Sequence, residues 1–143
     1  MPINNRLIGQ FGEKIAAGFI ISMGNTIVCQ NYRCSFGEID IISRSKKEYI
    51  FTEVKTRKNT DYGYPFESVS ESKIKKIKKA SRHFMTCKGL SQNHGYNLRF
   101  DVISILISYE LAAAVLSQST TNTIEINSLI MGTDYELEQI TDI

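Results

Sequence analysis

The sequence lacks the features of secreted, disulfide-stabilised and membrane-spanning proteins. Its 143 residues include three cysteines, an odd number without the spacing of a disulfide framework. No uninterrupted apolar run approaches the roughly 20 residues that cross a bilayer. The first residues, MPINNRLIGQFGEK, do not form a basic segment followed by a long apolar one. We therefore expect a cytoplasmic protein without a membrane partner.

The sequence also contains no C-x-x-C pair of the kind that holds zinc. A zinc site could be drawn from Cys29, Cys34, His83 and Cys87. However, Cys29 and Cys34 are five residues apart on a predicted strand, so their side chains should face opposite sides of it. Ordinary buried or half-buried thiols are therefore the preferred interpretation of the three cysteines.

Basic residues are absent after Arg99, where seven acidic residues follow. From Arg44 to Arg99 there are instead 14 basic residues and five acidic ones, a net charge of +9. This separation of charge predicts that one face of the protein binds a polyanion and that the acidic end is kept away from it.

The length and the average composition predict a single domain over residues 1–143, with a core at about 5–108 and a C-terminal extension at 109–143. Apolar periodicity and turn residues predict alternating secondary structure within the core. In the first predicted strand, Asn31 marks a bulge, and a Ser68–Glu71 capping box precedes the second helix, which Gly89 ends. The predicted helices are about Asn5–Met23 and Ser68–Gly89. The predicted strands are Thr26–Cys34, the strand of Glu38 and Asp40 that ends at a turn over Ser43–Lys47, Glu48–Thr56, Tyr96–Ser108 and an edge strand at Thr123–Ile130.

The most informative stretch is Phe36–Arg57, two apolar strands that carry charged residues. Glu38 and Asp40 are two residues apart in the first strand, and Glu53 and Lys55 are two apart in the second. Because residues two apart project from one face of a strand, each strand presents a pair of ionisable groups to one side. Charges inside such apolar strands must neutralise one another or share a cation.

Two interpretations of these charges remain open at this point. Two carboxylates beside a lysine suit a hard, oxygen-liganded ion such as Mg²⁺. The alternative is a structural ion-pair cluster at the end of a strand, since buried charge pairs also occur without function.

The second predicted helix carries basic residues without acidic partners four residues away. This imbalance favours a surface for nucleic-acid phosphates over a merely solvated face, and Arg57 and Lys58 lie at the end of the preceding strand. The predicted outer face comprises Lys75, Lys79 and Arg82, widened by Lys73, Lys76 and Lys78, while Ile74, Ile77, Ser81 and Phe84 form the inward stripe.

Two further acidic residues have open roles. In the first helix, small residues surround Glu13, which lets the helix approach a sheet closely and turns the carboxylate inward; the alternative is an exposed glutamate. Asp101 shares one face of its strand with Arg99, so it could support the charged site or simply form an ion pair with Arg99.

With these residues in view, the chain resembles a family of small uncharacterised bacterial nuclease-like proteins. That family is related to archaeal Holliday-junction resolvases within the PD-(D/E)xK nuclease superfamily. Two departures are Thr52, where an apolar residue commonly precedes the glutamate, and a longer segment after Ser108. The matching pieces are GQFGEKIAAGFI, NYRCSFGEIDIIS, FTEVKTR, YPFESVSESKIKKIKKAS and RFDVISI, in the family's order over most of residues 9–107.

The resemblance implies an α/β, restriction-endonuclease-like fold, with an α-β-β-β-α-β core and a central mixed sheet flanked by helices. It implies that Asp40 and Glu53, with the Val54 carbonyl, bind Mg²⁺ or Mn²⁺, and that Glu13 binds or orders a second metal or its water. Lys55 would orient or deprotonate the attacking water and support the developing charge. Glu38 matches a family feature without a derivable role; we place it behind these ligands, or in an ion pair with Arg33 or Arg57.

The expected function is therefore metal-dependent endonucleolytic cleavage of DNA, of branched or otherwise structured DNA in repair or recombination. A nucleic-acid-binding module that keeps the nuclease fold without cleavage is the alternative, since phosphate binding needs no catalysis. DNA contacts are expected from Arg57, Lys58, Lys75, Lys76, Lys79 and Arg82. The resolvase relatives also imply a homodimer, because a symmetric junction offers two scissile phosphates.

Overall fold

A mixed β-sheet between two helices forms the part of the chain that the computed structural model describes, residues 2–58, 69–90, 95–108, 112–113 and 135–143. The elements in chain order are α1 (Pro2–Ser22), β1 (Thr26–Cys34), β2 (Gly37–Ser45), β3 (Glu48–Lys58), α2 (Glu71–Cys87), β4 (Asn97–Ile107) and β5 (Tyr135–Ile140).

The strands lie in the order β1-β2-β3-β4-β5. The first three form an antiparallel meander, β4 runs parallel to β3 after the crossover through α2, and β5 returns antiparallel to β4. Two apolar clusters cover the two faces of this sheet, one beneath α1 and one beneath α2. The predicted α-β-β-β-α-β order and the mixed sheet with flanking helices are confirmed.

The apolar residues Leu7, Phe11, Ile15 and Phe19 predict an inward stripe of α1 at a spacing of four residues. Phe11 and Ile15 are buried as predicted, whereas Leu7 and Phe19 are only partly covered and Ile8 and Ile20 are buried instead. A strict spacing of four drifts round a helix with 3.6 residues per turn, so the buried face follows it only in the middle of the helix. The predicted end of α1 is confirmed, since Gly24 adopts a positive φ of 87° just beyond the helix.

Helix α2 begins later than the capping-box prediction placed it. Ser70 is its N-cap, and the Ser70 hydroxyl accepts a hydrogen bond from the Lys73 backbone N–H at 3.2 Å. Glu71 is therefore the first helical residue and not the third, while Ser68 lies outside the described residues. At the other end, Gly89 with φ 69° follows the last turn, which confirms the predicted stop.

Strand β1 is irregular at two positions, and this overturns the prediction about its cysteines. The register with β2 shifts between Ile27 and Cys29, so the bulge lies before Asn31, the residue predicted to mark it. Asn31 instead has a left-handed backbone, with φ 54°. Asn31 lies between the two cysteines and interrupts the regular alternation there, so Cys29 and Cys34 both pack against the cluster beneath α2 and do not face opposite sides.

Strand β5 lies in a segment that the sequence analysis did not assign to any element. The predicted edge strand Thr123–Ile130 lies outside the described residues, and β5 spans Tyr135–Ile140. Tyr135 and Leu137 pack against the cluster beneath α1, while Glu136 and Glu138 are exposed. This apolar–charged alternation is the period of a half-buried strand, so a signal for β5 was present.

Candidate active site

The candidate site lies where β2 and β3 separate. Ile41 pairs with Thr52 at the end of the ladder, so the next residues, Asp40 and Glu53, lie beside each other on neighbouring strands. Here Asp40 Oδ2 accepts a hydrogen bond from the Val54 backbone N–H at 2.8 Å. The divergence of the strands thus opens a gap, and the Asp40 carboxylate occupies its edge.

Glu53 and Lys55 follow Phe51 on one face of β3, the face that α2 covers. The Glu53 side chain is only 6% exposed, and Lys55 Nζ lies 3.7 Å from Glu53 Oε1. Residues two apart on one strand thus produce the contact that their spacing predicted. The structure therefore brings Asp40, Glu53 and Lys55 together at one end of the β2–β3 ladder.

A second lysine, Lys73, reaches the same carboxylate from the first turn of α2. Lys73 Nζ lies 2.5 Å from Glu53 Oε1. Its placement on the outer basic face was therefore wrong. The signal that identifies it is its position four residues before the buried Ile77, which puts Lys73 on the edge of the inward stripe.

The pKa of Asp40 is raised by its buried position and by the other acids of the site. Burial, then the negative charge of Glu53, raise the pKa of Asp40 to about 7, against the opposing hydrogen bond from Val54 N–H. A hydrogen bond between the Asp40 and Glu53 carboxyl groups adds to this rise in pKa. Asp40 is thus an acid whose charged form is disfavoured by burial and by its acidic neighbours, and a nearby cation would stabilise that form.

The two lysines respond to this environment in opposite directions. Burial, followed by the neighbouring Lys73 ammonium, lowers the pKa of Lys55 despite its acidic neighbours. Burial alone would also lower the pKa of Lys73, but its ion pair with Glu53 outweighs burial and raises it. Lys73 is thus the firmly charged partner of Glu53, and Lys55 is the lysine that gives up a proton more readily.

Glu13 joins the site from α1, as the small residues around it predicted. Gly12 allows this close approach, because a Cβ atom there would overlap the Thr56 side chain on β3. Burial and the charge of Glu53 raise the pKa of the half-buried Glu13, while a hydrogen bond from the Asn31 side chain opposes the rise. The left-handed Asn31 was not recognised from sequence as a partner of Glu13; its only signal was a polar residue interrupting β1.

A polar cavity of about 520 Å³ opens beside Glu13, between α1 and β1. Two arginines contribute to its wall, so the cavity combines one acid with basic and amide groups. Its lining residues are Arg6, Gly9, Gln10, Glu13, Asn31 and Arg33.

Two of the predicted acids serve other purposes. Glu38 forms an ion pair with Arg33 at 3.3 Å, and both side chains are well exposed, so the alternative of a surface pair is the one observed. Asp101 is bonded to Arg99, at 2.9 Å from the Arg99 terminal nitrogen, which is likewise the simpler of its two predicted roles. Glu38 still acts on the site through its charge, which adds to the raised pKa of Glu13.

Most of the predicted basic surface is present on α2. The side chain of Lys78 is an exception, because its ammonium lies 5.3 Å from the centre of the Phe100 ring instead of widening an open face. Arg57 is exposed and Lys58 partly covered at the end of β3. The exposed basic residues of α2 that were predicted to contact DNA are Lys75, Lys76, Lys79 and Arg82.

Comparison with known proteins places the chain in a family. Residues 12–105 match the family described as "Uncharacterised protein family UPF0102". The chain belongs to this family. A UPF0102 protein of Caldicellulosiruptor bescii is 45% identical over 105 residues, 73% of this chain and 87% of the relative. A UPF0102 protein of Clostridium novyi is 43% identical over 104 residues, 73% and 84% of the two chains.

The UPF0102 match covers the whole candidate site. It begins at Gly12, next to Glu13, includes both strands of the charged stretch and α2, and ends in β4. Strand β5 lies beyond the matched residues. None of the helices in the described part of the chain is both long and apolar enough to cross a membrane.

The site residues fit a divalent cation with an incomplete set of protein ligands. Across the described residues, no group of three or more His, Cys, Asp or Glu side chains is arranged to hold a metal. Asp40 and Glu53 nevertheless form a paired carboxylate site, and Mg²⁺ is commonly bound by one or two carboxylates, with waters and substrate phosphate completing its shell. The negative charge of Glu53 raises the pKa of Asp40, and the Lys73 ammonium lies 2.5 Å from Glu53 Oε1, so this pair of acids favours a nearby positive charge.

Proposed function

We propose that this protein is a metal-dependent DNA endonuclease, with Mg²⁺ or Mn²⁺ held by Asp40 and Glu53. The observation that carries the proposal is the pair of Asp40 and the buried Glu53 beside two lysines: Glu53 Oε1 lies 3.7 Å from Lys55 Nζ and 2.5 Å from Lys73 Nζ, and the charge of Glu53 helps to raise the pKa of Asp40. Perturbed acids with a lysine at a strand opening form the constellation that phosphodiester hydrolysis requires.

Each residue has a distinct task in this reaction. A bound divalent cation would supply positive charge to the phosphoryl group. Asp40 and Glu53 would hold it, with the Val54 carbonyl as a further ligand. Lys55, whose lowered pKa favours proton exchange, would orient or deprotonate the attacking water. Glu13, hydrogen-bonded to Asn31, would order a second metal or its water.

The basic surface of α2 supports DNA as the substrate. Its exposed lysines follow the catalytic strand directly and belong to the section with a net charge of +9. Such a surface binds phosphates without reading sequence, so it suits an enzyme that recognises DNA shape. The choice of branched or flapped DNA rests on the likeness to junction resolvases, for which a homodimer would present two sites to a symmetric junction.

A nucleic-acid-binding module without cleavage is the second candidate. The exposed lysines of α2 favour it, because they can bind phosphates without help from the acids. The buried acids oppose it. The charge of Glu53 raises the electrostatic cost of ionising both Glu13 and Asp40, and a binding-only protein would gain nothing from carboxylates held next to a phosphate surface.

The experiment compares labelled Holliday junctions, flaps, single strands and duplexes, incubated with Mg²⁺, Mn²⁺ or chelator. We expect metal-dependent cuts in structured DNA, and we expect Asp40→Asn and Glu53→Gln to slow cleavage by about 1,000-fold or more, because they remove the ligand charge. The matched control is Glu136→Gln, which neutralises an exposed acid on β5.

Three results decide between the candidates. Metal-dependent cleavage that is lost in both site variants and kept in Glu136→Gln supports the nuclease. Salt-dependent DNA binding without cleavage of any substrate supports the binding module. Equal cleavage by wild type and both site variants would show that the activity does not arise at this site.

A further inference from the structure

We propose that Lys73 is a displaceable cation: it occupies the Glu53 carboxylate in the metal-free protein, yields that position to the divalent cation, and then contacts a phosphate of the bound DNA. This inference rests on the proposed nuclease function and adds to it a residue that links metal binding to substrate binding.

Both lysines of the site lie close to the same oxygen atom, Glu53 Oε1. Lys73 Nζ lies 2.5 Å from Glu53 Oε1, and Lys55 Nζ lies 3.7 Å from the same atom. A divalent cation between Asp40 and Glu53 would bind this carboxylate and repel an ammonium held so close to it. The closer lysine, Lys73, is therefore the one that the incoming cation displaces.

Differences in exposure show which of the two lysines is able to move. The Lys73 side chain is 39% exposed, compared with 23% for Lys55 and 6% for Glu53. Lys73 also comes from a helix end and reaches the carboxylate through a long unbranched stem. Once released, its ammonium would turn outward to the side of α2 where the exposed lysines lie, which is where DNA phosphates would approach.

Lys73 lies in the first turn of α2, where a lysine is unfavourable for the helix itself, so a contact outside the helix must compensate for it. The first turn carries the positive end of the helix dipole, so a lysine there is unfavourable, and acidic residues are preferred. Lys73 is nevertheless the residue whose backbone N–H is capped by Ser70. Its contact with Glu53 on β3 compensates for this local disadvantage, which ties the start of α2 to the site.

A purely structural ion pair that fastens α2 to β3 is the competing explanation. The two explanations differ in their effect on metal affinity. If the ion pair is structural, Lys73 keeps Glu53 in place, so removal of Lys73 would leave the metal affinity unchanged or lower it. A displaceable cation competes with the metal, so its removal would strengthen metal binding in the absence of DNA.

The test measures Mn²⁺ affinity of the full chain by calorimetry without DNA, followed by single-turnover cleavage at saturating Mn²⁺. For Lys73→Met we expect about tenfold tighter Mn²⁺ binding, the scale of one lost charge-assisted contact, together with cleavage that is about tenfold slower. The charge-matched control is Lys46→Met, in the exposed turn between β2 and β3, which should change neither quantity appreciably. Lys73→Gln keeps a hydrogen-bond donor without the charge and serves if Lys73→Met does not fold.

Unchanged or weaker Mn²⁺ binding by the Lys73 variants, in a wild type that binds Mn²⁺ and cuts DNA, overturns this inference and leaves the nuclease intact. Tighter binding with an unaltered cleavage rate also overturns it, because Lys73 would then have no contact with substrate. If Mn²⁺ affinity is the same in wild type and Asp40→Asn, the metal site itself is wrong, and both proposals fail.

Discussion

Two carboxylates on neighbouring parts of one sheet, the buried Asp101 and the partly buried Asp40, have opposite surroundings. Asp101 on β4 pairs in register with Thr52, the residue before Glu53, so the two acidic sites lie close together in the sheet. Asp101 is 1% exposed and is surrounded by donors. Asp40, at the opening of β2 and β3, is surrounded by other acids.

The hydrogen bonds of Asp101 satisfy both of its oxygens. Arg99 donates from Nε at 3.0 Å and from a terminal nitrogen at 2.9 Å, and Gln139 donates through its amide at 3.0 Å. The Asp142 backbone N–H adds a fourth contact at 3.2 Å. Since β5 and the C-terminal residues supply two of these donors, Asp101 fastens the end of the chain to the sheet.

Asp40 has no comparable compensation in the described part of the chain. Val54 N–H donates one hydrogen bond, while Glu53 and Glu13 raise the cost of its charge. A buried acid with a full set of donors stabilises the fold, whereas a buried acid among other acids costs stability and is kept for another reason. The comparison therefore separates an architectural acid from a ligand for a cation.

The largest expected effect is the loss of the Asp101 cluster. Asp101→Ala removes one acidic partner of the half-buried Arg99, which keeps Glu48 at 3.1 Å, and leaves the Gln139 amide and the Asp142 N–H without their acceptor. We expect the free energy of unfolding to fall by about 3–5 kcal/mol, the cost of breaking a buried charged pair from one side. Urea denaturation in chelator measures it.

The control for this variant is Glu38→Ala, which breaks the exposed pair with Arg33. Its expected cost is below about 1 kcal/mol, because water screens the charges of a surface pair. Equal losses in the two variants would contradict the distinction between buried and exposed pairs, and with it the architectural role of Asp101.

The second effect has the opposite sign. Asp40→Asn should raise the free energy of unfolding of the metal-free protein by between about 1 and 4 kcal/mol near pH 8, because the neutral amide avoids the buried charge. The pKa of Asp40 rises from 3.8 to about 7 on folding. The native acid therefore binds protons more tightly than the unfolded one, so wild-type stability falls as the pH rises through this range and is lowest above about pH 7.

The pH dependence tests this assignment. The difference in the free energy of unfolding between Asp40→Asn and wild type should be largest above about pH 7. It should decrease as the pH falls towards about 4, where the wild-type carboxyl is protonated. Adding Mn²⁺ should stabilise wild type and not the variant. A variant that is less stable than wild type at every pH would place Asp40 in the same architectural class as Asp101.

Strand and helix periodicity predicted the sheet core. It also predicted that the charged pair of β3, Glu53 and Lys55, lies on one face of the strand. Glu53 and Lys55 were predictable because a spacing of two residues survives in any regular strand. The place of Asp40 beside Glu53 depends on the register of the hairpin, which the sequence analysis did not predict: Ser45 pairs with Glu48 across the turn, and this pairing sets Asp40 beside Glu53.

Lys73 and Asn31 could not be predicted in the same way. The contact of Lys73 with Glu53 depends on how α2 packs on the sheet. Spacing along the sequence does not give that tertiary arrangement. Asn31 depends on a left-handed backbone that breaks the alternation of β1. The same irregularity defeated the prediction for Cys29 and Cys34, because period-two rules hold only where φ stays in the extended region.

The smallest expected change in the free energy of unfolding is that of a Thr52 variant. Thr52 pairs with Asp101 and directly precedes Glu53. Its hydroxyl is buried and, among the described residues, has no hydrogen-bond partner, so it serves neither Asp101 nor Glu53. Thr52→Val replaces the hydroxyl with a methyl group of similar size and should raise the free energy of unfolding by about 1 kcal/mol, while Mn²⁺ affinity stays constant. The same substitution at the exposed Thr86, whose hydroxyl donates to the Arg82 carbonyl at 2.9 Å, should bring no gain. A loss of Mn²⁺ affinity in Thr52→Val would show that the Thr52 hydroxyl belongs to the metal site. The metal site would then extend one residue beyond Glu53 towards Asp101.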